Sequence, residues 1–259
     1  MTTAMPKKIV IKIGGSASND YEKIIKEIAE IINSDIQVII VHGGGNLISS
    51  WLNNMKKKTE FINGLRVTDN ETLSIAIGAL AGTTNKNIVA SFAKHQINAM
   101  GLSGVDGNLL FAKKINQPIG NVGEIEKVDK KIIDILIENN YLPVISPVAL
   151  SLNTKGSILN INADAAAISI AIAINADKCI LLSDVDGVKD SNGVIINHLS
   201  SQKAEELMKN NIIIEGMIPK VTNALRAAKL GVSCHIANGS QLGVLNDILI
   251  NNDTGTTID

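Results

Sequence analysis

The chain has 259 residues, a formal net charge of −1, 45% hydrophobic residues and only 2% aromatic ones. So balanced a charge leaves no basic field to gather nucleic acid, and no apolar run reaches the ~18 residues that would cross a bilayer, so neither is expected as a partner. A core this poor in aromatics has to be built from Ile, Leu, Val and Ala, which suits buried parallel strands with helices packed on them.

In chain order, the apolar run 9–11 leads into Lys12, Ile13, Gly14 and Gly15, a strand ending in a glycine turn with a cation at its tip. Ile24, Ile25, Ile28, Ile31 and Ile32 follow at helical spacing. Residues 38–41 form a second buried-type strand closed by His42, Gly43, Gly44 and Gly45, and Leu47, Ile48, Trp51, Leu52 and Met55 make the stripe of the next helix. Lys56, Lys57 and Lys58 read as a solvated run. Thr68 or Asp69 caps a helix that extends towards Gln96. Its small residues Ala76, Gly78, Ala79, Ala81 and Gly82 suit the core, and in part a dimer seam. A strand over 99–102, a glycine-broken hairpin-like stretch to 128, a helix over 130–139 and a strand over 142–146 come next. Residues 153–156 turn between two short strands, and an Ala/Ile-rich helix follows Asp164. The last quarter holds a strand over 179–182, a hairpin turn at 190–193, helices over 201–210 and 216–230, and a strand over 233–237. Alternating strand and helix patterns predict an α/β sheet covered by helices, crossing a lobe boundary near residue 176. Cys179 and Cys234 lie in strand-like runs and read as free buried thiols. The start of the chain has no secretory pattern, so a soluble cytoplasmic setting is expected.

Four constellations carry chemistry. Lys12 with Gly14 and Gly15 offers an ammonium beside bare backbone N–H groups, a place for a phosphate. Gly43, Gly44 and Gly45 open a helix whose free N–H groups and dipole favour an anion, while His42 reads as a hydrogen-bonded structural residue rather than a base. Asn160, Asn162 and Asp164 alternate just before a helix, a spacing that points all three to one side of an extended chain. Lys220 sits in the first turn of its helix, against the dipole, which asks for an anion nearby. There is no GxxxxGK[ST] stretch, no GxGxxG after the first strand and no GxSxG elbow to match the His-Gly-Gly-Gly run, so a P-loop enzyme, a dinucleotide fold and an esterase are set aside. Asp184-Val185-Asp186-Gly187 lacks the remaining ligands of a calcium loop.

Taken together, these segments resemble the amino-acid kinase family over essentially the whole chain. The resemblance rests on Ile11-Lys12-Ile13-Gly14-Gly15, Val41-His42-Gly43-Gly44-Gly45, Gly78-Ala79-Leu80-Ala81-Gly82, Asn160-Ile161-Asn162-Ala163-Asp164, Leu181 to Val188, and Gly216-Met217-Ile218-Pro219-Lys220-Val221. The segment Asn63-Gly64-Leu65-Arg66-Val67-Thr68 points to the branch acting on N-acetyl-L-glutamate. The resemblance implies a three-layer αβα sandwich with a mainly parallel central sheet and two lobes. Residues 1–176 would bind the acyl amino acid and dimerise, and 177–259 would bind ATP. The implied reaction phosphorylates the side-chain carboxylate of N-acetyl-L-glutamate, the second step of arginine synthesis; a related kinase acting on glutamate or aspartate is the alternative. By position, Lys12 and Lys220 would flank the migrating phosphoryl group, with Asp164 holding both. Gly44, Gly45, Arg66 and Asn160 would bind the substrate. Gly14, Gly15, Asp184, Val185, Asp186, Gly187, Val188, Lys189, Ile212, Ile213 and Ile214 would bind ATP. Mg²⁺ would be carried mainly by the ATP phosphates, with no protein metal site. The turn 16–19 is shorter and more polar than is usual in the family. A homodimer without strong arginine feedback is expected, because the arginine-inhibited hexameric relatives carry an N-terminal helix ahead of the first strand.

Overall fold

The structure is a computed structural model that describes residues 7–14, 21–32, 34, 36–214, 216–251 and 254–259. In chain order its elements are β1 (Lys8–Ile13), α1 (Tyr21–Ile32), β2 (Gln37–His42), α2 (Gly45–Asn54), β3 (Phe61–Ile62), β4 (Leu65–Arg66) and α3 (Asn70–Ile77). A π-helical segment, Gly78–Thr84, joins α3 to α4 (Asn85–Ala93). Then come β5 (Ala99–Ser103), β6 (Leu110–Lys114), β7 (Val122–Val128), α5 (Lys131–Glu138), β8 (Leu142–Ser146), β9 (Val148–Ser151), β10 (Ile158–Ile161) and α6 (Ala163–Ala173). The rest is β11 (Lys178–Ser183), α7 (Ser201–Lys209), α8 (Met217–Ala228), β12 (Ser233–Asn238), α9 (Val244–Asn246) and β13 (Thr256–Ile258).

Seven strands form the central sheet in the order β13-β12-β11-β1-β2-β8-β5, parallel except for the edge strand β13. Because side chains alternate across a strand, the sheet feeds two cores. Ile9, Ile11 and Ile13 of β1 pack with Ile24, Ile25 and Ile28 of α1 and with Ile88 and Phe92 of α4. Val10, Val41 and Leu181 face the other way, onto Ile168 of α6, Leu207 of α7 and Val221 of α8. Helix α6 is Ala/Ile-rich on every side because it is buried on almost every side. This is the expected αβα sandwich. The sheet crosses residue 176 through the pairing of β1 with β11. Cys179 and Cys234 are register partners and are both free and buried.

Three features differ from the expectation. The hairpin β6–β7 forms, but it closes with β9 and β10 into a small barrel in the order β10-β7-β6-β9. Non-local parallel pairs, β6 with β9 and β7 with β10, make that closure, and local pattern carries no trace of them. Strand β13 and the two-residue strands β3 and β4 are too short for a periodic signal. Lys57 belongs to more than a solvated run, since its Nζ reaches both Asp69 (2.7 Å) and Glu71 (2.6 Å). Asp69 caps α3, accepting from the Thr72 N–H. Among the small residues after it, Ala76 and Ala79 enter the core while a Cβ on Gly82 would meet nothing within 4 Å. No helix among the described residues is long and apolar enough to cross a membrane.

Candidate active site

Two lysines from distant parts of the chain meet on one carboxylate. Lys12 is the last residue but one of β1, Asp164 lies in the first turn of α6 and Lys220 in the first turn of α8. Lys12 Nζ is 2.9 Å from Asp164 Oδ1, and Lys220 Nζ donates to Oδ2 at 2.5 Å. Gly14 makes the first arm possible: a Cβ there would stand 2.0 Å from Lys12 Nζ, so the ammonium folds back into the space a side chain would take. Burial works to raise the Asp164 pKa, and the pull of Lys12 and Lys220 outweighs it, holding the carboxyl below the ordinary carboxylate range. All three groups are nearly buried, at 7% and 9% exposure for the lysines. The three formal charges sum to +1, and an unbalanced charge out of water is unfavourable until an anion arrives. Lys220 has its helix-dipole penalty offset by Asp164.

Ala163, next to Asp164, helps wall a cavity of about 150 Å³ together with Gly43, Gly44, Gly45, Arg66, Asn160 and neighbouring apolar residues. The glycine loop is tied to β1 by the Gly43 N–H donating to Ile13 O at 2.8 Å. Helix α2 then starts at Gly45 with no side chain capping it, leaving N–H groups for a ligand. Arg66, at the end of the β3–β4 hairpin, stacks 4.7 Å over the Phe61 ring and donates through Nη2 to Gly45 O (2.9 Å) and Ser49 Oγ (3.0 Å). Its Nη1 is buried without a partner, and burial lowers its pKa from the ordinary value. A buried guanidinium nitrogen with unused donors suits a planar carboxylate. Asn160 is held from behind, Nδ2 donating to Thr68 Oγ1 at 3.2 Å while that hydroxyl donates to Arg66 O at 2.7 Å.

A second cavity, of about 300 Å³, is walled by residues 184–190, Ile212, Ile213, Ile214 and Met217, the last at the start of the helix that carries Lys220. It contains every residue that the sequence assigned to ATP apart from Gly14, which sits under Lys12, and Gly15, which lies outside the described residues, as does the turn 16–19. Its rim is braced by two contacts that sequence reasoning missed. The Val188 N–H donates to Thr256 Oγ1 (2.8 Å), and Asn238 Nδ2 donates to Asp186 Oδ1 (2.9 Å). The β-branched pair Thr256 and Thr257, after Gly255, was the available signal.

The alternating trio does not converge as the spacing predicts. Asn160 and Asn162 both line the smaller cavity and only Asp164 departs, to the lysines, while Asn162 Oδ1 also caps α6 by accepting from Asp164 N (2.9 Å) and Ala165 N (3.1 Å). The helix begins one residue after the cap, so period two no longer applies at Asp164. His42 is fully buried and hydrogen-bonded, as expected of a structural residue.

The family model of the amino acid kinase family matches residues 7–238. Acetylglutamate kinase of Methanoculleus marisnigri is 39% identical, with 97% of this chain and 93% of that protein covered. Acetylglutamate kinase of Aquifex aeolicus is 41% identical, with 97% and 91% covered. Among solved structures, smu.665 of Streptococcus mutans UA159 superposes with a TM-score of 0.84 at 29% identity, covering 97% of this chain and 98% of that one. N-acetylglutamate synthase of Neisseria gonorrhoeae has a TM-score of 0.85 at 23% identity, over 97% of this chain and 59% of that one, a likeness of fold. A matched family model over most of the length, relatives near 40% identity and a paired-lysine site at the strand ends agree: the chain belongs to the amino acid kinase family and, within it, to the acetylglutamate kinases.

Proposed function

We infer that the protein transfers the γ-phosphoryl group of ATP to the side-chain carboxylate of N-acetyl-L-glutamate, giving N-acetyl-L-glutamyl 5-phosphate for arginine synthesis. The observation that carries this reading is the meeting of Lys12 and Lys220 on Asp164, where the first turns of the helices carrying Asp164 and Lys220 also contribute Ala163 to one cavity and Met217 to the other. The acceptor is a carboxylate, already ionised at pH 7, so no general base is needed. The obstacle is repulsion between an anionic nucleophile and an anionic phosphate. Lys12 and Lys220 would stabilise the equatorial oxygens of the migrating group, with Asp164 keeping both ammonium groups in place.

Arg66 Nη1 would take the substrate α-carboxylate, Gly44 and Gly45 would face the phosphate and acyl group, and Asn160 would bind the substrate. Residues 184–189 and 212–214 would hold the nucleotide, with Gly14 near its phosphates. In this division, residues 1–176 serve the acyl substrate and 177–259 serve ATP. Mg²⁺ would arrive on the ATP phosphates, where it would supply charge neutralisation. The reading includes a homodimer in the cytoplasm, which sedimentation would check. A coupled assay of ADP release, with hydroxylamine trapping of the acyl phosphate, tests the function. Turnover with N-acetyl-L-glutamate should exceed that with free glutamate or aspartate, and the reverse order would replace this reading by the alternative kinase.

A further inference from the structure

His42 takes no part in the roles above, yet it is the one histidine packed against the glycine loop. Its ring is fully buried at the end of β2. Nδ1 lies 2.7 Å from Gly43 O, and Nε2 lies 3.1 Å from Nδ2 of Asn85, the first residue of α4. The orientation of the Asn85 amide is fixed independently of the histidine. Two backbone carbonyls, Val144 O at 2.9 Å and Leu102 O at 3.2 Å, face its nitrogen, and Lys86 Nζ faces its oxygen at 3.2 Å. Gly43 O can only accept, so the ring proton must sit on Nδ1, and in the neutral ring Nε2 is left as an acceptor facing the Asn85 amide nitrogen, whose two hydrogens are shared between it and the two carbonyls. Nδ1–H then donates to Gly43 O. Burial lowers the ring's pKa to about 4, so this neutral form persists at neutral pH.

The consequence falls on the next peptide. In a trans peptide the C=O and the following N–H point in opposite directions, and cis bonds are absent from the described residues. A Gly43 carbonyl drawn back towards His42 turns the Gly44 N–H towards the cavity that Gly44 lines. No acceptor among the described residues takes that N–H. Glycine on both sides of the peptide leaves little local preference for one orientation, so something outside the loop has to set it. The π-helical segment serves the same end. It delivers Thr84 against Gly44, where a Cβ would come within 3.1 Å of Thr84 Oγ1, and then places Asn85 against His42.

We propose that His42 and Asn85 are a positioning pair that locks the Gly43–Gly44 peptide with its N–H aimed at the negative charge developing on the transferred phosphoryl group. The pair touches no substrate and acts through the peptide. The proposal rests on the kinase reading, and the wild-type assay with N-acetyl-L-glutamate tests that reading separately.

Replacing His42 by Leu should lower kcat by about 10²-fold, the loss typical of one preorganised donor, with KM for both substrates changed by no more than about twofold. Replacing it by Asn, whose amide nitrogen can reach the place of Nδ1, should restore most of the rate. Equal defects in His42→Leu and His42→Asn would make the residue a packing element and overturn the proposal, as would an unchanged kcat in His42→Leu. Should the variants fail to fold, the wild-type protein still decides. Long-range ¹H–¹⁵N NMR of the imidazoles should show His42 as the neutral Nδ1–H form at pH 7, and an Nε2–H form would refute the locking scheme.

Discussion

The cavity beside Gly43 is walled mostly by glycines and apolar residues, with one buried guanidinium, Arg66, and the carboxamide of Asn160 held from behind by Thr68. The cavity beside Val188 is walled by a loop whose charged side chains, Asp184, Asp186, Lys189 and Asp190, stay at least partly in solvent, and by aliphatic side chains, and its bracing comes from Thr256 and Asn238 on the sheet edge. A buried guanidinium discriminates sharply, because a ligand lacking the matching group leaves its donors unpaired. A wall whose charges are solvated and whose floor is aliphatic selects more by shape and apolar contact. The Lys12–Asp164–Lys220 cluster belongs to neither wall. Mutations should therefore sort into three kinetic classes.

The largest effect is expected at the cluster. Lys220→Ala removes a charge that acts mainly in the transition state, so kcat should fall by about 10³-fold with little change in either KM. A change confined to KM would move Lys220 into a binding wall. Next comes Arg66→Ala, which should raise KM for the acyl substrate by about 10- to 100-fold, the worth of a hydrogen bond to a charged group, and leave KM for ATP alone. Arg66→Lys should recover little, since a point charge cannot span two carboxylate oxygens. A smaller effect, about fivefold on KM for ATP alone, should follow Thr256→Val, which removes the acceptor of the Val188 N–H. If Thr256→Val changed acyl binding as well, the two walls would be mechanically one.

The same contrast explains what could be read from the sequence. The parallel sheet was legible because β1, β2 and β11 are continuous apolar runs with glycine or Ser-Asp ends. Lys220 stood out because a lysine in the first turn of a helix is unfavourable without an anion, Lys12 and Gly44 because glycine turns follow their strands, and Arg66 only through the resemblance to the family. The barrel of β6, β7, β9 and β10 was not, since its closure depends on pairs between segments tens of residues apart. The supports behind each wall were hidden for a related reason. Thr68, Asn85 and Thr256 are ordinary residues in ordinary elements, and only their tertiary neighbours give them work. Asn162 could be read either way, because an Asx cap and an inward-pointing ligand look identical at the level of spacing, and it both caps α6 and lines the smaller cavity.

One buried histidine stands behind each wall, and this gives the comparison a thermodynamic form. His235 of β12 bonds through Nε2 to Thr254 O and through Nδ1 to Thr257 Oγ1 (2.9 Å), tying β13 to the sheet, and burial lowers its pKa to about 4. His42 is lowered to about 4 for the same reason. In the unfolded chain both titrate near 6.5, so between pH 6.5 and 4 the unfolded state binds more protons. Their contribution to stability is therefore whole above pH 6.5 and is lost as the pH falls towards 4. Asp164, held low, adds nothing to this slope until the pH drops below about 4, the ordinary Asp range. Between pH 6.5 and 5 each histidine should remove about 2 kcal/mol from the unfolding free energy. His235→Gln keeps an Nε2–H donor towards Thr254 O without a titrating group, so urea titrations should show about half the wild-type loss over that interval, with kcat at pH 8 unchanged. Retention of the full loss would mean that His235 is already neutral-insensitive or solvated in the folded state, and the stiffening of the nucleotide wall by β13 would then need another source than this buried ring.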